Sequence, residues 1–266
     1  MSAAVLGGAS PAHGDRRFSG LERLYGVSGA AAIRSAHVVV VGLGGVGSWA
    51  AEALARSGVG ELTLIDLDHV SESNINRQIQ ALEGTVGQAK VQAMRDRIAQ
   101  IHPACIVHCV EEFVEEGNWL RLLPDASDAV VDACDQVRAK TEMAAWALRS
   151  GGLLLCAGAA GGKRRAHEVA IEDLSRTTHD PLLAQLRYRL RKFHGAPREG
   201  KPIGVTCVFS REAVAAPDAS CELENDGSLN CSGYGSVVSV TATFGMCAAG
   251  WVMDRIANRK SISQAI

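Results

Sequence analysis

The sequence has no Cys-x-x-Cys pair, although it contains eight cysteines. Cysteines at that spacing are typical of structural zinc sites, so we expect no zinc knuckle and no zinc cofactor. Several cysteines instead lie inside apolar runs such as LLLCAGA, at residues 153–159, which argues against a disulfide framework. A fold held together by paired thiols is therefore excluded.

A strong net charge is also missing. The chain has 27 Lys and Arg against 29 Asp and Glu, which gives a formal charge of -2 at pH 7. Any surface for nucleic acid must therefore be local. The segment 163–201 is a candidate, because ten basic residues there accompany five carboxylates. The candidate RNA contacts are Lys163, Arg164, Arg165, Arg187 and Arg191. The alternative is an ordinary solvated helix face.

Two further absences concern membranes. The N-terminus has no continuous apolar stretch behind a basic start, so residues 1–16 are predicted to be a flexible leader and the protein to be cytoplasmic. No charged residue occurs from 228 to 253, and the length of the apolar part, 236–253, makes it a membrane candidate. Its Gly, Ser, Thr and Ala content favours a buried helix that closes the core, so membrane association is the minor alternative.

The order of the elements predicts the fold class. Apolar strand-like runs near residues 37–41, 62–66, 105–110, 129–133 and 153–158 alternate with helical segments. This order is typical of an α/β, Rossmann-like, doubly wound and mainly parallel sheet with helices on both faces. We expect residues 17–165 to form the nucleotide-binding core. Residues 166–266 should form a C-terminal extension of the same compact unit, with a basic helix, a mobile loop and a final apolar helix.

A glycine-rich turn follows the first strand. The stretch GLGGVG places Gly42, Gly44, Gly45 and Gly47 between a strand and a helix, the context in which such turns bind phosphate through backbone N–H groups. Asp66 ends the second strand, where a carboxylate can accept the ribose hydroxyls. A turn that binds nothing is the alternative, and NAD and ATP fit this pattern equally well.

The residues that follow favour ATP. A polar loop contains Asn74, Arg77 and Gln78, and Lys90 begins the next helix. Two cations at the mouth of the site suit a reaction that must neutralise a triphosphate. Asp135 lies just beyond the fourth strand, and a carboxylate beside phosphates indicates Mg²⁺. A helix-capping role is the alternative for Asp132 and Asp135.

These motifs resemble the ubiquitin-activating-enzyme-like superfamily of ATP-dependent adenylating enzymes. The stretches GLGGVGS, LIDLDHVSESNINRQ, VGQAK and VVDACD occur in the superfamily's order. The resemblance implies that the glycines hold the phosphates, that Arg77 and Lys90 contact them, and that Asp135 binds Mg²⁺. It also implies nucleotide contacts around Asp66, Asn74 and Gln78, and a homodimer.

Within that superfamily, further stretches resemble the branch of tRNA threonylcarbamoyladenosine dehydratases. They include RFSGLERLYG (17–26), HDPLLAQLRYRLRKFHG (179–195) and SVTATFGM (239–246). The resemblance implies a ligase-like enzyme that uses ATP to activate the carboxylate of threonylcarbamoyladenosine in tRNA. That group then cyclises with loss of water.

Two other functions stay open. Adenylation of a sulfur-carrier protein's C-terminus is disfavoured because the paired cysteines of those enzymes are missing. The chain could also be a nucleotide-binding partner in a cysteine desulfurase system, receiving sulfur from an acceptor protein. Cys231, in LNCSGYGS, is the candidate thiol, although a thiol without a chemical role is the simpler interpretation.

Overall fold

Seven strands form one sheet in the computed structural model, which describes residues 12–198, 200–216, 218 and 234–263. Their order across the sheet is β3-β2-β1-β4-β5-β7-β6. The strands are β1 (His37–Val41), β2 (Glu61–Ile65), β3 (Ile106–Val110), β4 (Ala129–Asp132), β5 (Leu154–Ala157), β6 (Val169–Asp173) and β7 (Thr206–Ser210). All neighbours are parallel except β6 and β7. This arrangement confirms the predicted fold class.

The central strands are apolar because helices cover both faces of the sheet. Every residue of β1, β4 and β5 is buried. Continuous runs of Val, Leu and Ala suit such strands, since no residue in them faces water. The predicted strands therefore match the observed ones to within two residues at their ends.

Within the described ranges, seven α-helices surround the sheet. They are α1 (Ala12–Arg34), α2 (Gly47–Arg56), α3 (Lys90–Ile101), α4 (Trp119–Leu122), α5 (Val137–Ser150), α6 (Pro181–Phe193) and α7 (Val238–Ser263). The core on one face joins α2, α3 and α7 to alternate residues of the strands, such as Val38 and Val40. The core on the other face joins α5 and α6 to the remaining residues, such as Val39 and Val41.

The prediction of a flexible leader needs a correction at its end. Helix α1 begins at Ala12, so residues 12–16 of the predicted leader are helical. The helix bends at Gly26, whose φ of 73° is a conformation that other residues rarely adopt. The C-terminal half of the helix packs into the core through Ile33, and the helix continues from there towards the N-terminus. Residues 1–11 lie outside the described residues.

The C-terminal part of the chain is built into the sheet and its core. Strand β7 pairs with β5, and α7 packs on α2 and α1. The contact with α2 is so close that a Cβ on Gly245 would lie 2.7 Å from Cβ of Trp49. Val240, Phe244 and Val252 of α7 are fully buried. The uncharged segment is therefore the buried helix that its composition favoured.

No helix in the described part of the chain is both long enough and apolar enough to cross a membrane. The predicted mobile loop falls mainly on residues 219–233, which lie outside the described residues.

Candidate active site

The turn after β1 has room only for glycine at its two ends. Gly42 has a φ of 83°, and a Cβ there would lie 2.9 Å from the backbone nitrogen of Cys134. A Cβ on Gly47 would overlap the carbonyl oxygen of Gly42. These glycines let α2 start directly against the end of the strand and beside the loop that follows β4. The turn therefore sits where the strand order reverses, between β1 and β4.

The middle of the turn offers backbone N–H groups. Those of Gly44, Gly45 and Val46 have no acceptor among the described residues, and no side chain caps the N-terminus of α2. A Cβ on Gly44 would meet nothing within 4 Å. Unpaired N–H groups and the positive end of a helix dipole together form an anion-binding site. The turn has the shape and the donors that a phosphate group requires.

Asp66 connects the turn to the end of β2. Its Oδ2 accepts a hydrogen bond from N–H of Leu43 at 2.5 Å, and its Oδ1 accepts one from N–H of Asp68 at 2.8 Å. Burial raises the pKa of Asp66, while Lys90 and the two backbone donors oppose that rise. The carboxylate therefore fixes the position of the turn. The predicted contact with ribose stays a prediction.

Lys90 is buried and paired. Its Nζ lies 2.8 Å from Oδ2 of Asp68, and its backbone N–H donates to the carbonyl of Asp68. Asp68 was not among the predicted site residues, although the pattern Asp-Leu-Asp at the end of a strand was a signal for it. In this structure the ammonium compensates the two carboxylates beside the turn.

Arg77 lies over the turn. Its Cγ would be 3.3 Å from a Cβ on Gly45, and its Nη1 donates to the carbonyl of Ser73 and to Oδ1 of Asn76. Its own carbonyl accepts a hydrogen bond from Nε1 of Trp49, on α2, at 2.9 Å. The backbone of Arg77 is thus held by the helix that begins at the glycine turn, and its side-chain stem lies beside Gly45.

Amide side chains hold the polar loop against the turn. Asn74 is buried and its Oδ1 accepts from N–H of Ser71. Nε2 of Gln80 donates to the carbonyl of Leu43 at 2.8 Å and to Oε1 of Gln78 at 3.3 Å. Gln80 was missed by the sequence analysis, and its buried Oε1 has no partner in the described part of the chain. The nucleotide contacts predicted for Asn74 and Gln78 remain predictions.

A fully buried ion pair shapes the loop after β4. Nζ of Lys140 lies 3.0 Å from Oδ1 of Asp132, and neither side chain is exposed. Burial alone would lower the pKa of Lys140, but the adjacent carboxylate raises it above its ordinary value. Lys140 was missed, although it lies on the same helical stripe as Val137 and Ala144. That position was a signal of burial.

Asp135 comes three residues after Asp132 and is exposed. The N-cap of α5 is Gln136, and no side chain caps this helix, so neither aspartate is the cap that the sequence left open. The carboxylate of Asp135 has no hydrogen bond or ion pair with any described residue. Since Ala133 and Cys134 adjoin Gly42, Asp135 follows directly on residues that touch the glycine turn.

The basic segment needs a correction at Lys163. This side chain is only 2% exposed, and its Nζ donates to the carbonyls of His179 and Glu212. It is therefore absent from the surface that was predicted to contact RNA. Burial also lowers the pKa of Lys163, although Asp180 and Glu212 oppose that effect.

The other predicted RNA contacts differ in whether their side chains already donate hydrogen bonds to the protein. Arg187 is half-buried, and its Nη1 donates to the carbonyls of Leu174 and Thr177. Arg191 donates from Nε to the carbonyl of Pro197. Arg164 and Arg165 are exposed, and Oε2 of Glu212 holds both of their backbone N–H groups. Arg164 and Arg165 thus present guanidinium groups at the surface, whereas Arg187 is tied to the protein.

A cavity of about 300 Å³ lies beside Arg164. Its lining includes Gly162, Tyr234 and Ser236. The carbonyl of Ser236 accepts a hydrogen bond at 3.0 Å from Nδ2 of Asn76, the neighbour of Arg77. The cavity therefore adjoins the loop that lies over the glycine turn. Cys231 is outside the described residues, and the structure says nothing about its role.

Comparison with known proteins identifies close relatives. The chain matches the ThiF family over residues 19–265. It is 42% identical over 250 residues to a tRNA threonylcarbamoyladenosine dehydratase of Escherichia coli, covering 91% of this chain and 93% of that one. It is 39% identical over 249 residues to the Haemophilus influenzae protein of the same name, covering 93% and 95%.

A solved structure gives the same result. The crystal structure of the E. coli tRNA N6-threonylcarbamoyladenosine dehydratase, TcdA, in complex with ATP superposes with a TM-score of 0.86 at 40% identity. The match covers 95% of this chain and 98% of that chain, and the complex with AMP matches equally well.

The substitution Gly44→Ala tests the phosphate site. Because a Cβ there meets no protein atom within 4 Å, the variant should fold normally, whereas its methyl group would occupy the space above the unpaired N–H groups. Loss of a hydrogen bond to a charged group costs about 1.5–3 kcal/mol, so the Kd for ATP should rise roughly 10- to 100-fold. Isothermal titration calorimetry measures this. Gly84→Ala, also free of contacts but in another loop, is the matched control. Equal affinities for the two variants would place the nucleotide elsewhere.

Proposed function

The chain belongs to the ThiF family, and from that membership we propose that it is an ATP-dependent enzyme that dehydrates threonylcarbamoyladenosine in tRNA. The observation that carries the proposal is the match over nearly the full length to a dehydratase of that name crystallised with ATP. The local geometry agrees with it, since unpaired N–H groups, a helix N-terminus and Arg77 meet at one turn.

The first step is activation of a carboxylate. A carboxylate is a poor electrophile because its leaving group would be oxide. An oxygen of the threonylcarbamoyl carboxylate attacks the α-phosphorus of ATP, and pyrophosphate leaves, which gives an acyl adenylate. The negative charge that develops on the phosphates is met by the N–H groups of the turn and by the guanidinium of Arg77.

The second step closes a ring within the same side chain. A nucleophilic atom of the carbamoyl group attacks the activated carbonyl carbon and gives up its proton, and AMP leaves with the former carboxylate oxygen. The nucleoside has then lost the elements of one water. Because the reaction is intramolecular, positioning of the two groups provides much of the rate enhancement.

Arg77 and Lys90 have different tasks in this proposal. Nζ of Lys90 is already paired with Asp68 and stabilises the carboxylates that hold the turn. Nε and Nη2 of Arg77 have no partner in the described part of the chain. Arg77 therefore has N–H donors available for the phosphates, whereas Lys90 has a structural task as the ion-pair partner of Asp68.

The residues present fit a magnesium ion at Asp135. The carboxylate is exposed, has no partner among the described residues, and follows the loop that touches the glycine turn. Mg²⁺ is commonly held by one or two carboxylates together with substrate phosphates and water. Asp135 would hold the ion, and the ion would neutralise charge on the triphosphate.

The cavity beside Arg164 is the proposed entry for the modified nucleoside. The hydrogen bond between Asn76 and Ser236 connects the cavity to the loop of Arg77. Arg164 lines the cavity, and Arg165 is the next residue along the chain. Guanidinium groups at that position suit the phosphates that flank a nucleoside in tRNA. The RNA surface in this proposal omits Lys163, which is buried.

A homodimer, a cytoplasmic location and a sulfur-acceptor partner remain predictions. Adenylation of a sulfur-carrier protein would consume ATP only when that protein is present, whereas dehydration requires tRNA. The two substrates therefore separate the two activities. Tight binding of NAD without binding of ATP would instead favour NAD as the nucleotide of the glycine turn.

The direct experiment uses tRNA that carries threonylcarbamoyladenosine. The protein is incubated with this tRNA, ATP and Mg²⁺, and the digested nucleosides are weighed by mass spectrometry. We expect a nucleoside lighter by one water, formed only with ATP. A nucleoside of unchanged mass, with an enzyme that binds ATP, would rule out the dehydratase function.

In the same assay, Arg77→Ala should reduce the rate roughly 10²- to 10³-fold, the usual cost of removing one preorganised donor from a developing charge. Arg95→Ala is the matched control, because Arg95 is exposed and paired with Asp96 on the surface. An undiminished rate for the Arg77 variant would show that another group stabilises the phosphates.

The substitution Asp135→Asn tests the magnesium assignment. We expect the Mg²⁺ concentration for half-maximal rate to rise at least about tenfold, which corresponds to about 1.4 kcal/mol of lost binding. Asp125→Asn, another exposed aspartate, is the control. An identical Mg²⁺ dependence for both variants would contradict the role of Asp135.

The double substitution Arg164→Ala and Arg165→Ala tests the RNA surface. If both guanidinium groups contact phosphates, the slope of log K against log salt concentration should fall by up to about two units for tRNA binding. The control pair is Arg95→Ala with Arg121→Ala, both exposed and far along the sequence from the cavity. A slope equal to that of the control pair would remove Arg164 and Arg165 from the interface.

A further inference from the structure

Two histidines and a glutamate meet near the end of the sheet opposite the glycine turn. His37 is the first residue of β1, Glu61 is the first residue of β2, and His108 lies in the middle of β3. The glycine turn follows the last residue of β1, so the four residues 38–41 of the strand separate it from His37. The cluster is therefore distinct from the nucleotide site.

The register of the strands brings these side chains to one face. His37 pairs with Glu61 across β1 and β2, and Thr63 pairs with His108 across β2 and β3. Since side chains alternate along a strand, Glu61 and Thr63 point to the same side of the sheet. Their neighbour Leu62 points to the other side and joins the core there. The cluster is thus built on three adjacent strands of the sheet.

The donor atoms are close enough to share one ion. One ligand atom from each residue lies within 4.8 Å of the other two. Oε1 of Glu61 lies 3.6 Å from Nδ1 of His37 and 2.7 Å from Nε2 of His108. Tetrahedral ligands at about 2.1 Å from zinc are separated by about 3.4 Å. One distance already fits, and a small rotation of the exposed His108 or Glu61 side chain would adjust the other.

The surroundings of His37 orient it as a ligand. Its Nε2 lies 2.8 Å from Oγ1 of Thr63, and its backbone N–H donates to Oδ2 of Asp128 at 3.0 Å. A hydrogen bond at one ring nitrogen fixes the ring and leaves the other nitrogen for a metal. Burial lowers the pKa of His37, although Glu61 and Asp128 oppose this effect.

We propose that His37, Glu61 and His108 bind one divalent transition-metal ion, with Zn²⁺ as the ion that this ligand set suits. Two imidazoles and a carboxylate supply three ligands, and solvent can supply the fourth because Glu61 and His108 are partly exposed. The sequence-based expectation of no zinc concerned sites of paired cysteines. This site contains none, and it does not depend on the proposed enzymatic function.

The neighbouring Cys105 is not one of the ligands. The three residues whose ligand atoms lie together do not include it, and its Sγ lies 3.8 Å from the carbonyl oxygen of Ile106. A bound ion would join the first three strands of the sheet and so stabilise the folded chain against unfolding.

The test uses untagged, full-length protein freed of metal by a chelator. Zn²⁺ is titrated in competition with a chromophoric chelator, and Co²⁺ is added separately so that its visible absorption reports the ligand geometry. We expect one tight site per chain, a higher melting temperature with Zn²⁺, and a Co²⁺ spectrum typical of four or five ligands.

The variants His108→Gln and Glu61→Gln should each weaken Zn²⁺ binding at least about tenfold and abolish the Co²⁺ absorption. Both side chains are partly exposed, so the variants should fold. His167→Gln is the matched control, because His167 is an exposed histidine 3.9 Å from the carboxylate of Glu168. Zn²⁺ affinity that is absent in the parent protein, or unchanged in both cluster variants, would overturn the proposal.

Discussion

The close contact between the turn after β1 and the loop after β4 is the constraint on which the site depends. Only glycine fits at residue 42, because the backbone of Cys134 would lie 2.9 Å from any Cβ there. The loop after β4 is itself held by the buried pair of Asp132 and Lys140. Since removal of one partner from a buried ion pair strongly destabilises a protein, this pair holds the start of the loop in place. The glycine turn and the loop that bears Asp135 are therefore held together.

The C-terminal helix takes part in the same construction. Thr241 of α7 has its Cγ2 3.0 Å from the position of a Cβ on Gly45, and its Oγ1 donates to the carbonyl of Arg77. The loop residue Arg77 is thus held by α2 and by α7 at once. These contacts pack the C-terminal helix directly against the glycine turn and the loop of Arg77. Without α7, the carbonyl oxygen of Arg77 would keep only the hydrogen bond from Trp49 of α2.

The sequence predicted the sheet and the placement of the motifs because both depend on local patterns. A strand buried on both faces is mostly apolar, and β1 shows this in the four valines that follow His37. Pairings between distant residues leave no such pattern. Lys163 appeared to belong to a charged surface, yet the carbonyls that bind it come from residues 16 and 49 positions later. Only the folded chain brings those carbonyls to it.

The cations of the molecule divide according to their chemistry. Lys90, Lys140 and Lys163 are buried and each is matched by a carboxylate or by backbone carbonyls. A lysine carries its charge at one compact group, which a few acceptors can satisfy completely. Arginine has five donors, and Arg77 uses one nitrogen for the loop while the others stay available. Lysines therefore suit the buried framework of this site. Arginines suit the surfaces where phosphates are expected, because one guanidinium can donate to the protein and to a ligand at the same time.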